Sequence, residues 1–491
     1  MAARSFDSEQ FLSWFEDAGG WYDKRLIGLS PFMGMGYGAV ALDDIPVDSA
    51  LFHVPDKLVL SSYTSELQSR LLPSEWDSLA HGWCQLILTM MWETIRGADS
   101  PWHGYLVNLP SDFETPMLWS EEERTELIGT DIEDRIGKED AEADHRKYLG
   151  PVITAHPELF PAGSSHTTLS AFHLQGSRIL SRSFTVPLSR FTRRHDAESD
   201  ISDDDEEIQV AVMIPFADML NAAFERDNVH LYADEESQND HPEGFTMKST
   251  KSIRKSTQIY NTYDSPPNSE LLRKYGHVDV LPLPSDLLKL LDPSDVGDWP
   301  YGNAGDEVLI DGNCVVEAVA VALLDRADEI WRQSIPKRVD WWLEEGQDDI
   351  FALALSRELD TSLIAFVRLL SYDHEWLRAE KKGKLPSTEV DNFVLTVIDA
   401  VIRDRLARYD HDVEVDLALV KEAWPIVHPG DVIEAENFPV GATSIAANRL
   451  RQCYAAVVRL GEKRILKAIA HSISIGNGNG KKRKAEADDE Q

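Results

Sequence analysis

Two tyrosines, Tyr263 and Tyr275, flank a Pro-Pro turn and an amphipathic stretch, Glu270–Leu272. A tyrosine combines an apolar ring with a hydroxyl that forms directional hydrogen bonds, so a spaced pair can line a channel and orient a polar group inside it. Many tyrosines are nevertheless core aromatics whose hydroxyl reaches water. The pair therefore marks a candidate site, and its meaning depends on the segments that accompany it.

The segment Pro215–Asn221 precedes the tyrosines and carries two polar side chains in an apolar run. Asp218 and Asn221 must find hydrogen-bond partners there, either in the backbone or in a ligand, because buried polar groups are rarely left unpaired. Asn221 is followed by Ala222-Ala223-Phe224, so it could also cap a helix. The sequence leaves both interpretations open.

Three glycines alternate with other residues in Gly34-Met35-Gly36-Tyr37-Gly38. A dinucleotide-binding loop has the spacing G-x-G-x-x-G and leads into an amphipathic helix. Here the spacing is G-x-G-x-G and a β-like run, Ala39–Leu42, follows, which argues against a nucleotide loop. Glycine also lets the backbone adopt positive φ or approach a ligand closely, so the cluster is either a plain turn or a turn against which a ligand packs.

Motifs of several other chemistries are missing from the sequence. The chain has no G-x-S-x-G, H-E-x-x-H or P-loop pattern, so hydrolase and nucleoside-triphosphatase functions have no motif in their favour. Its histidines show no paired spacing. The three cysteines, Cys84, Cys314 and Cys453, are far apart and odd in number. This pattern argues for a reducing compartment and against a disulfide framework or a zinc site, and no metal is expected.

The composition indicates a globular protein with a basic partner. A chain of 491 residues is long enough for roughly two to four domains, and 43% of its residues are hydrophobic. No apolar run is long enough to span a membrane, and the N-terminus is too charged for a secretory signal. The formal net charge of -37 disfavours direct nucleic-acid binding and favours basic partners, although it could equally serve solubility.

Apolar periodicity divides the first part of the chain into helical and β-rich regions. Residues 1–22 carry apolar side chains at helical spacing, and two short strands are expected over 39–42 and 51–55. A helical region follows over about 62–185, and the acidic stretch 195–207 is too charged to pack. Strand-like residues then return, and we predict a strand over 210–214 and a hairpin that pairs 228–232 with 256–263.

The second part of the chain is predicted to be helical. A proline-rich linker, 281–304, leads into residues 305–475, where apolar stripes over 363–370 and 394–402 predict two buried helices. A third helix is expected over 449–475. These periodicities indicate a helical domain that packs behind the β-rich part.

The last residues, 476–491, predict a flexible and exposed tail because glycine and asparagine alternate there before a charged end. The tail contains the basic run Lys481–Lys484, which is a plausible nuclear import signal. Short basic runs also occur in tails that are merely solvated. We therefore predict a nuclear protein that could also occur in the cytoplasm.

Taken in order, the glycine cluster, Ser181-Arg182-Ser183-Phe184, the segment Asp218–Asn221 and the two tyrosines resemble the signature of SET-domain lysine methyltransferases. Three phrases of the helical region resemble the helical insert of one branch of that family. This branch contains ribosomal-protein lysine methyltransferases and the Rubisco large-subunit methyltransferase. The three phrases are 102–110, 117–124 and 156–160.

The resemblance implies an α+β fold. It is clear over about 6–285 and diffuse over about 305–475, where the stripe Phe366–Leu370 resembles the Rubisco-type substrate-binding domain. The expected architecture is a β-rich SET fold over 23–280, interrupted by the helical insert and followed by an all-α C-terminal domain. The tail lies outside the resemblance.

The function that the resemblance implies is the transfer of a methyl group from S-adenosylmethionine to a lysine side chain of a basic protein, with a ribosomal protein as the first candidate. One alternative is a nuclear target such as a histone or transcription regulator. Another is a catalytically inactive binding module, because Ala222 stands where the family usually has His and His277 where it has Phe. Asp264, where the family usually has Gly, is a further departure from the pattern. Neither direct nucleic-acid binding nor membrane binding is expected, and the sequence does not indicate an oligomeric state.

The resemblance also implies roles for individual residues. Arg182 would face the methionine carboxylate or the site entrance, while Asn221 and the Ala222 backbone would hold the amino end and the adenine of the cofactor. The complete set comprises cofactor contacts by Gly36, Tyr37, Gly38, Arg182, Asn221, Ala222 and Tyr275, catalytic roles for Tyr275 and Tyr263, and substrate contacts by Ser183, Phe184 and Tyr263.

Overall fold

The computed structural model describes residues 6–32, 36–192, 207–222, 225–234, 242–262, 264–323, 329–356, 358–427 and 444–488. The α-helices are α1 (Ser8–Asp17), α2 (Leu67–Arg70), α3 (Pro73–Ser78), α4 (Cys84–Arg96), α5 (His103–Leu106), α6 (Glu121–Arg124), α7 (Lys138–Asp144), α8 (Gly150–Ala155), α9 (Leu169–Arg182), α10 (Ser189–Thr192), α11 (Asn268–Glu270), α12 (Ser285–Leu288), α13 (Pro293–Val296), α14 (Gly312–Ala322), α15 (Glu329–Glu344), α16 (Thr361–Ser371), α17 (Asp373–Lys382), α18 (Asn392–Ala407), α19 (Val413–Val427) and α20 (Ser444–Asp488). The strands are β1 (Trp21–Tyr22), β2 (Ile27–Phe32), β3 (Gly36–Ala41), β4 (Ala50–Pro55), β5 (Ser183–Pro187), β6 (Gln209–Met213), β7 (Val229–Asp234), β8 (Gly244–Ser249), β9 (Gln258–Ile259), β10 (Leu281–Pro282), β11 (Tyr301–Gly302), β12 (Glu307–Asp311) and β13 (Ile350–Ala354).

Small antiparallel sheets form the β-rich part of the protein. Their strand orders are β1-β4-β8-β7, β2-β3-β9 and β5-β6. Strand β4 lies inside its sheet and is buried along Leu51–Pro55, which explains its almost unbroken apolar sequence. The helices from α2 to α9 lie between β4 and β5, where the sequence predicted a helical insert.

The predicted hairpin between 228–232 and 256–263 is wrong. Strand β7 pairs with β8, with Val229 opposite Ser249, while β9 pairs with β3, with Gln258 opposite Val40. Strand β7 pairs with the segment 244–249, in which Phe245 and Met247 are buried. In the predicted partner, 256–263, only Gln258 and Ile259 form a strand. Strand β9 therefore lies beside the glycine cluster.

The glycine cluster is also more extended than predicted. Gly36, Tyr37 and Gly38 open strand β3, with Tyr37 opposite Pro31, so the predicted turn does not include them. Gly34 and Met35 lie outside the described residues. Gly36 has φ of +72°, a conformation that glycine adopts without steric cost, which explains its place at the start of the strand.

Helix α1 and strand β1 occupy the region for which the sequence predicted one helix over 1–22. The Asp7 carboxylate accepts the Gln10 backbone N–H at 3.0 Å and caps α1. Phe11 and Phe15 are fully buried, and their rings meet the ring of Phe216 edge-on at centroid distances of 5.9 and 5.2 Å. Helix α1 therefore supports the Pro215–Asn221 segment.

The C-terminal half confirms the helical stripes predicted over 363–370 and 394–402. Their apolar residues are buried in α16 and α18. The α+β class is confirmed as well, although the C-terminal half is not entirely helical. An antiparallel pair, β12-β13, lies within it, with Val308 opposite Leu353. Alternating burial along these strands, rather than a long apolar run, makes the pair hard to recognise in the sequence.

The C-terminal helix α20 is longer than predicted and continues to Asp488, through residues for which the sequence predicted a flexible tail. The final Lys, Arg, Ala and Glu residues favour helical backbone and extend a helix that has already begun, while the flexibility expected of 476–491 stays a prediction. The acidic stretch 195–207 lies almost entirely outside the described residues. In the described part of the chain, no helix combines the length and apolarity needed to cross a membrane.

Charged side chains of α20 are buried where the helix passes between the two halves. Arg459 and Lys463 are 2% exposed and share one partner, Asp416 of α19, which is fully buried. Arg459 donates to the Asp416 carboxylate at 2.8 and 2.9 Å, and Lys463 also donates to it. Because removing water from a charge costs several kcal/mol, the two cations need both Asp416 and Glu126, whose Oε2 lies 3.3 Å from Nη1 of Arg459.

We predict that Asp416→Ala lowers the free energy of unfolding by about 3–5 kcal/mol, since it leaves buried Lys463 without its carboxylate and buried Arg459 with Glu126 alone. Urea unfolding followed by circular dichroism measures the loss. Asp404→Ala is the matched control, because Asp404 pairs with Arg408 on the surface and its removal should cost about 1 kcal/mol or less. Equal losses in the two variants would contradict the assignment.

Candidate functional site

Gly38, Asn221 and Gln258 come together at the edge of β3. The β3-β9 pairing brings Gln258 beside Gly38, and the Asn221 carbonyl accepts the Asn261 N–H at 2.9 Å. Ala222 and Asn261 form a parallel bridge. The segment 215–222 and the strand that leads toward Tyr263 are therefore held together by backbone hydrogen bonds, with the glycine cluster alongside.

Two side-chain amides converge on the α-carbon of Gly38. A methyl group at this position would lie 2.5 Å from Nδ2 of Asn221 and 2.8 Å from Nε2 of Gln258. Both nitrogen atoms are buried and have no hydrogen-bond partner among the described residues. Buried amide donors are rarely left unpaired, so this pair is suited to a ligand that presents acceptor atoms next to the Gly38 backbone.

Phe216 gives the Pro215–Asn221 segment its shape. Its φ is +77°, an unfavourable value for a bulky residue, and it precedes the 3₁₀ turn Ala217–Met219. The Phe216 ring is fully buried and stacks on Phe52 of β4 at 4.4 Å with an interplanar angle of 5°. Packing therefore holds a strained backbone immediately before Asp218 and Asn221, as is common at functional sites.

Asp218 lies in a buried polar network that also positions Arg182. Its Oδ2 accepts the Tyr105 hydroxyl at 2.8 Å, and its backbone carbonyl accepts Nη1–H of Arg182 at 2.6 Å. Burial raises the pKa of Asp218 to about 6, against the opposing effects of Arg182 and Tyr105. The Nε of Arg182 has no partner among the described residues, so Arg182 is anchored at one nitrogen and keeps a second donor for the site.

Tyr275 is the last residue of a π-helical turn, Leu271–Tyr275, and is partly buried. Gly276 follows with φ of +75°, and its α-carbon packs so closely on the backbone of Glu114 and Thr115 that a methyl group there would lie 3.0 Å from both. The Tyr275 ring lies 6.0 Å from the ring of His277, whose pKa is lowered by burial. Glycine is therefore required for the chain to turn directly after Tyr275.

The remaining predicted residues divide between the site and its surroundings. Ser183 and Phe184 begin β5 opposite Met213 and Val212, and both are partly buried. Tyr37 contacts the ring of Phe6 at 4.4 Å. Tyr263 lies outside the described residues, so its predicted role stays a prediction.

Sequence reasoning missed Gln258 and Tyr105. Gln258 is a polar residue inside the strand-like run 256–260, and a buried amide between apolar strand residues is the signal that could have revealed it. Tyr105 lies in one of the phrases quoted for the helical insert, but its contact with Asp218 joins residues far apart in the chain. Only the fold brings that pair together.

Comparison with known proteins agrees with this architecture. A family model described as Rubisco LSMT substrate-binding matches residues 332–466. The crystal structure of the SET domain of LSMT bound to lysine and AdoHcy superposes with a TM-score of 0.65 at 19% identity, covering 96% of this chain and 91% of that chain. This chain therefore has the same fold as that structure. Rubisco LSMT bound to sinefungin and monomethyllysine gives a TM-score of 0.63 at 20% identity, with 96% and 92% of the two chains covered.

Curated relatives match part of the chain at higher identity. N-lysine methyltransferase setd6 of Xenopus laevis is 31% identical over 286 residues, which are 56% of this chain and 58% of the relative. Ribosomal lysine N-methyltransferase 4 of Saccharomyces cerevisiae is 30% identical over 285 residues, 56% of each chain. The chain thus spans a little over half the length of these relatives, and the resemblance to this SET-domain branch is confirmed.

We predict that Gly38→Ala weakens binding of S-adenosylmethionine at least about tenfold, because the added methyl group displaces the Asn221 and Gln258 amides. Calorimetric titration measures the change. Gly176→Ala in α9 is the control, since the nearest atom to its new methyl group is 3.9 Å away. If Gly38→Ala folds and binds the cofactor as tightly as the wild type, the site lies elsewhere.

A second prediction concerns pH. The pKa of Asp218 is about 6 in the folded protein and near 4 when unfolded, so the folded state keeps a proton that the unfolded state loses. This contribution to stability is fully present below about pH 4 and is lost as the pH rises through about 6, a change of about 3 kcal/mol. The substituted side chain of Asp218→Asn does not titrate. The free energy of unfolding of this variant relative to the wild type should therefore increase by up to about 3 kcal/mol between about pH 4 and pH 6.

Urea unfolding at several pH values measures this difference, in which the other titrating groups cancel. A stability difference between Asp218→Asn and the wild type that does not change with pH would contradict the raised pKa of Asp218.

Proposed function

We propose that this protein transfers a methyl group from S-adenosylmethionine to the side-chain amine of a lysine on a basic protein. The observation that carries the proposal is the convergence of the two unpaired amides, of Asn221 and Gln258, on the Gly38 backbone. Solved structures with this fold are bound to AdoMet, AdoHcy or sinefungin, and the curated relatives are lysine methyltransferases by name.

The residues around Gly38 fit such a cofactor. Its amino-acid end and ribose present oxygen acceptors, for which the amides of Asn221 and Gln258 provide donors. Gly36, beside which a methyl group would meet no atom within 4 Å, leaves room for close backbone contact. Arg182 could pair with the carboxylate through its remaining donor. Ala222 lacks the imidazole usual in the family, so its part would be a backbone contact next to the bridge to Asn261.

The bound sulfonium would supply an electrophilic methyl group for an in-line displacement. The protein's task is to hold the lysine amine neutral and aligned. Neutralising a lysine of ordinary pKa costs about 3 kcal/mol at pH 8. A dry channel lined by Tyr263 and Tyr275 would lower this cost because it would disfavour the ammonium form, and the Tyr275 hydroxyl would orient the nitrogen lone pair. Ser183 and Phe184 would line the approach of the substrate.

We infer a basic protein substrate from the net charge of -37, and a ribosomal protein first, because the yeast relative is named a ribosomal lysine methyltransferase. The basic run Lys481–Lys484 supports the alternative of a nuclear target and of nuclear localisation. A catalytically inactive binding module is the third possibility, motivated by Ala222 and His277.

We predict that Tyr275→Phe lowers the rate of methyl transfer at least about 100-fold and changes S-adenosylmethionine affinity little, since only the hydroxyl that orients the amine is lost. Radiolabelled transfer to ribosomal proteins and, separately, to histones measures the rate. Tyr232→Phe, on an exposed strand residue, is the matched control.

Persistent transfer by Tyr275→Phe would show that Tyr275 is not catalytic. Labelling of histones but not ribosomal proteins by the wild type would move the proposal to a nuclear substrate. Absence of both transfer and cofactor binding would favour the inactive binding module.

A further inference from the structure

Asn268 closes the segment that contains Tyr275 into a loop. Its Oδ1 accepts the Asp279 N–H at 2.7 Å, and its Nδ2 donates to the Asp279 carbonyl at 3.1 Å. Asn268 is 1% exposed, so water does not compete for these bonds. The turn Leu271–Tyr275 lies between the two bonded residues, and the position of Tyr275 therefore depends on the position of Asn268.

Asp306 holds Asn268 from outside that loop. The Asp306 Oδ1 accepts the Asn268 backbone N–H at 2.8 Å, and Asn303 donates from Nδ2 to the Pro266 carbonyl at 2.9 Å. Asp306 is buried, and burial raises its pKa to about 7. Burying a carboxylate costs desolvation free energy that an apolar side chain would avoid. Stability alone would therefore not explain Asp306, and a role in positioning Asn268 does.

Helix α20 fixes both the linker, 281–304, and Asp306, which lies just after it. A methyl group on Gly461 would lie 3.1 Å from Cγ of Asp306 and closer still to its Oδ2, so the helix backbone is in direct contact with the carboxylate. Arg464, one turn later in sequence, donates to the carbonyls of Asp295, Trp299 and Tyr301 at 3.1, 3.0 and 2.8 Å. The linker thus lies between α20 and the Tyr275 loop and is bonded to both.

Apolar packing follows the same path. Leu272 and Val278, on either side of Tyr275, are buried in one cluster with Val457 and Val458 of α20. Residues 332–466, which include these valines, match the substrate-binding family model. A shift of α20 would therefore move the linker and the Tyr275 loop together.

We propose that Asp306 is a positioning residue for Tyr275. Through its bond to Asn268, Asp306 couples the C-terminal half, which contains 332–466, to the turn Leu271–Tyr275. The proposal rests on the proposed function of Tyr275. Asp306 itself touches neither substrate nor cofactor. It sets the geometry of the tyrosine through the Asn268 N–H, so its loss should affect kcat rather than cofactor affinity.

The test compares Asp306→Ala, Asp306→Asn and the exposed linker control Asp298→Ala in the full chain. Asparagine keeps an oxygen that can accept the Asn268 N–H, whereas alanine does not. We expect Asp306→Ala to lower kcat for ribosomal-protein methylation about tenfold, with the KM of these proteins and the Kd of S-adenosylmethionine within about threefold of the wild type. Asp306→Asn should restore kcat to within about threefold, and Asp298→Ala should match the wild type.

Amide hydrogen exchange gives a readout that does not require activity. In Asp306→Ala, the backbone amides of 268–279 should exchange about tenfold faster than in the wild type. The exchange rates over 36–41, beside the proposed cofactor site, should not change. Gly461→Ala is an independent variant. Alanine favours helix, so α20 should be retained, but the added methyl group would displace the Asp306 carboxylate. This variant should therefore also lower kcat and speed amide exchange over 268–279.

Unchanged exchange over 268–279 in both Asp306→Ala and Gly461→Ala would overturn the proposal. A parallel loss of cofactor affinity and kcat would overturn it too, because that pattern indicates general disruption. If the wild type transfers no methyl group, the proposed function fails, while the exchange data still decide whether Asp306 positions the Tyr275 loop. Should Asp306→Ala not fold, Gly461→Ala and Asp306→Asn decide the question.

Discussion

The structure depends on the neutralisation of charged side chains that α20 buries between the two halves of the protein. Transfer of a charge from water to a protein interior costs several kcal/mol unless a partner compensates it. The compensating groups come from the insert, from α18, from α19 and the residues just before it, and from the linker, so neutralising the helix requires all of these elements together. The contacts concerned are those of Arg459 with Asp416 and Glu126, of Glu462 with Arg405, the Tyr409 hydroxyl and the Asp131 N–H, of Lys463 with Asp416 and the His411 carbonyl, and of Arg464 with the linker carbonyls.

This arrangement determines where the turn Leu271–Tyr275 can lie. Leu272 and Val278 pack against α20, and the Asn268 N–H is bound by Asp306, which α20 contacts at Gly461. Tyr275 is thus presented by a loop whose base is shared with the C-terminal half. Under the proposed function, substrate recognition and catalysis would depend on one another without direct contact, because a packed interface transmits small displacements instead of absorbing them.

The cofactor side of the site is built on a different principle. Unfavourable features, a positive φ at Phe216 and two unpaired amides at Asn221 and Gln258, are concentrated next to Gly38. The stacked ring of Phe52 and the edge contacts of α1 hold Phe216 in place. Packing of large aromatic rings can offset strain of this size, and the unpaired donors are then available to a ligand.

The sequence by itself determined the helices with strong apolar periodicity, such as α16 and α18, and the order of segments that resembles a SET domain. Tertiary structure decided the partner of β7, the strand at Gly38, and the roles of Gln258 and Asp306. The physical reason is one of range. Helical periodicity and turn chemistry act over a few neighbouring residues, whereas strand pairing and the satisfaction of buried polar groups join residues far apart in the chain, and many pairings compatible with the local pattern compete until burial selects one.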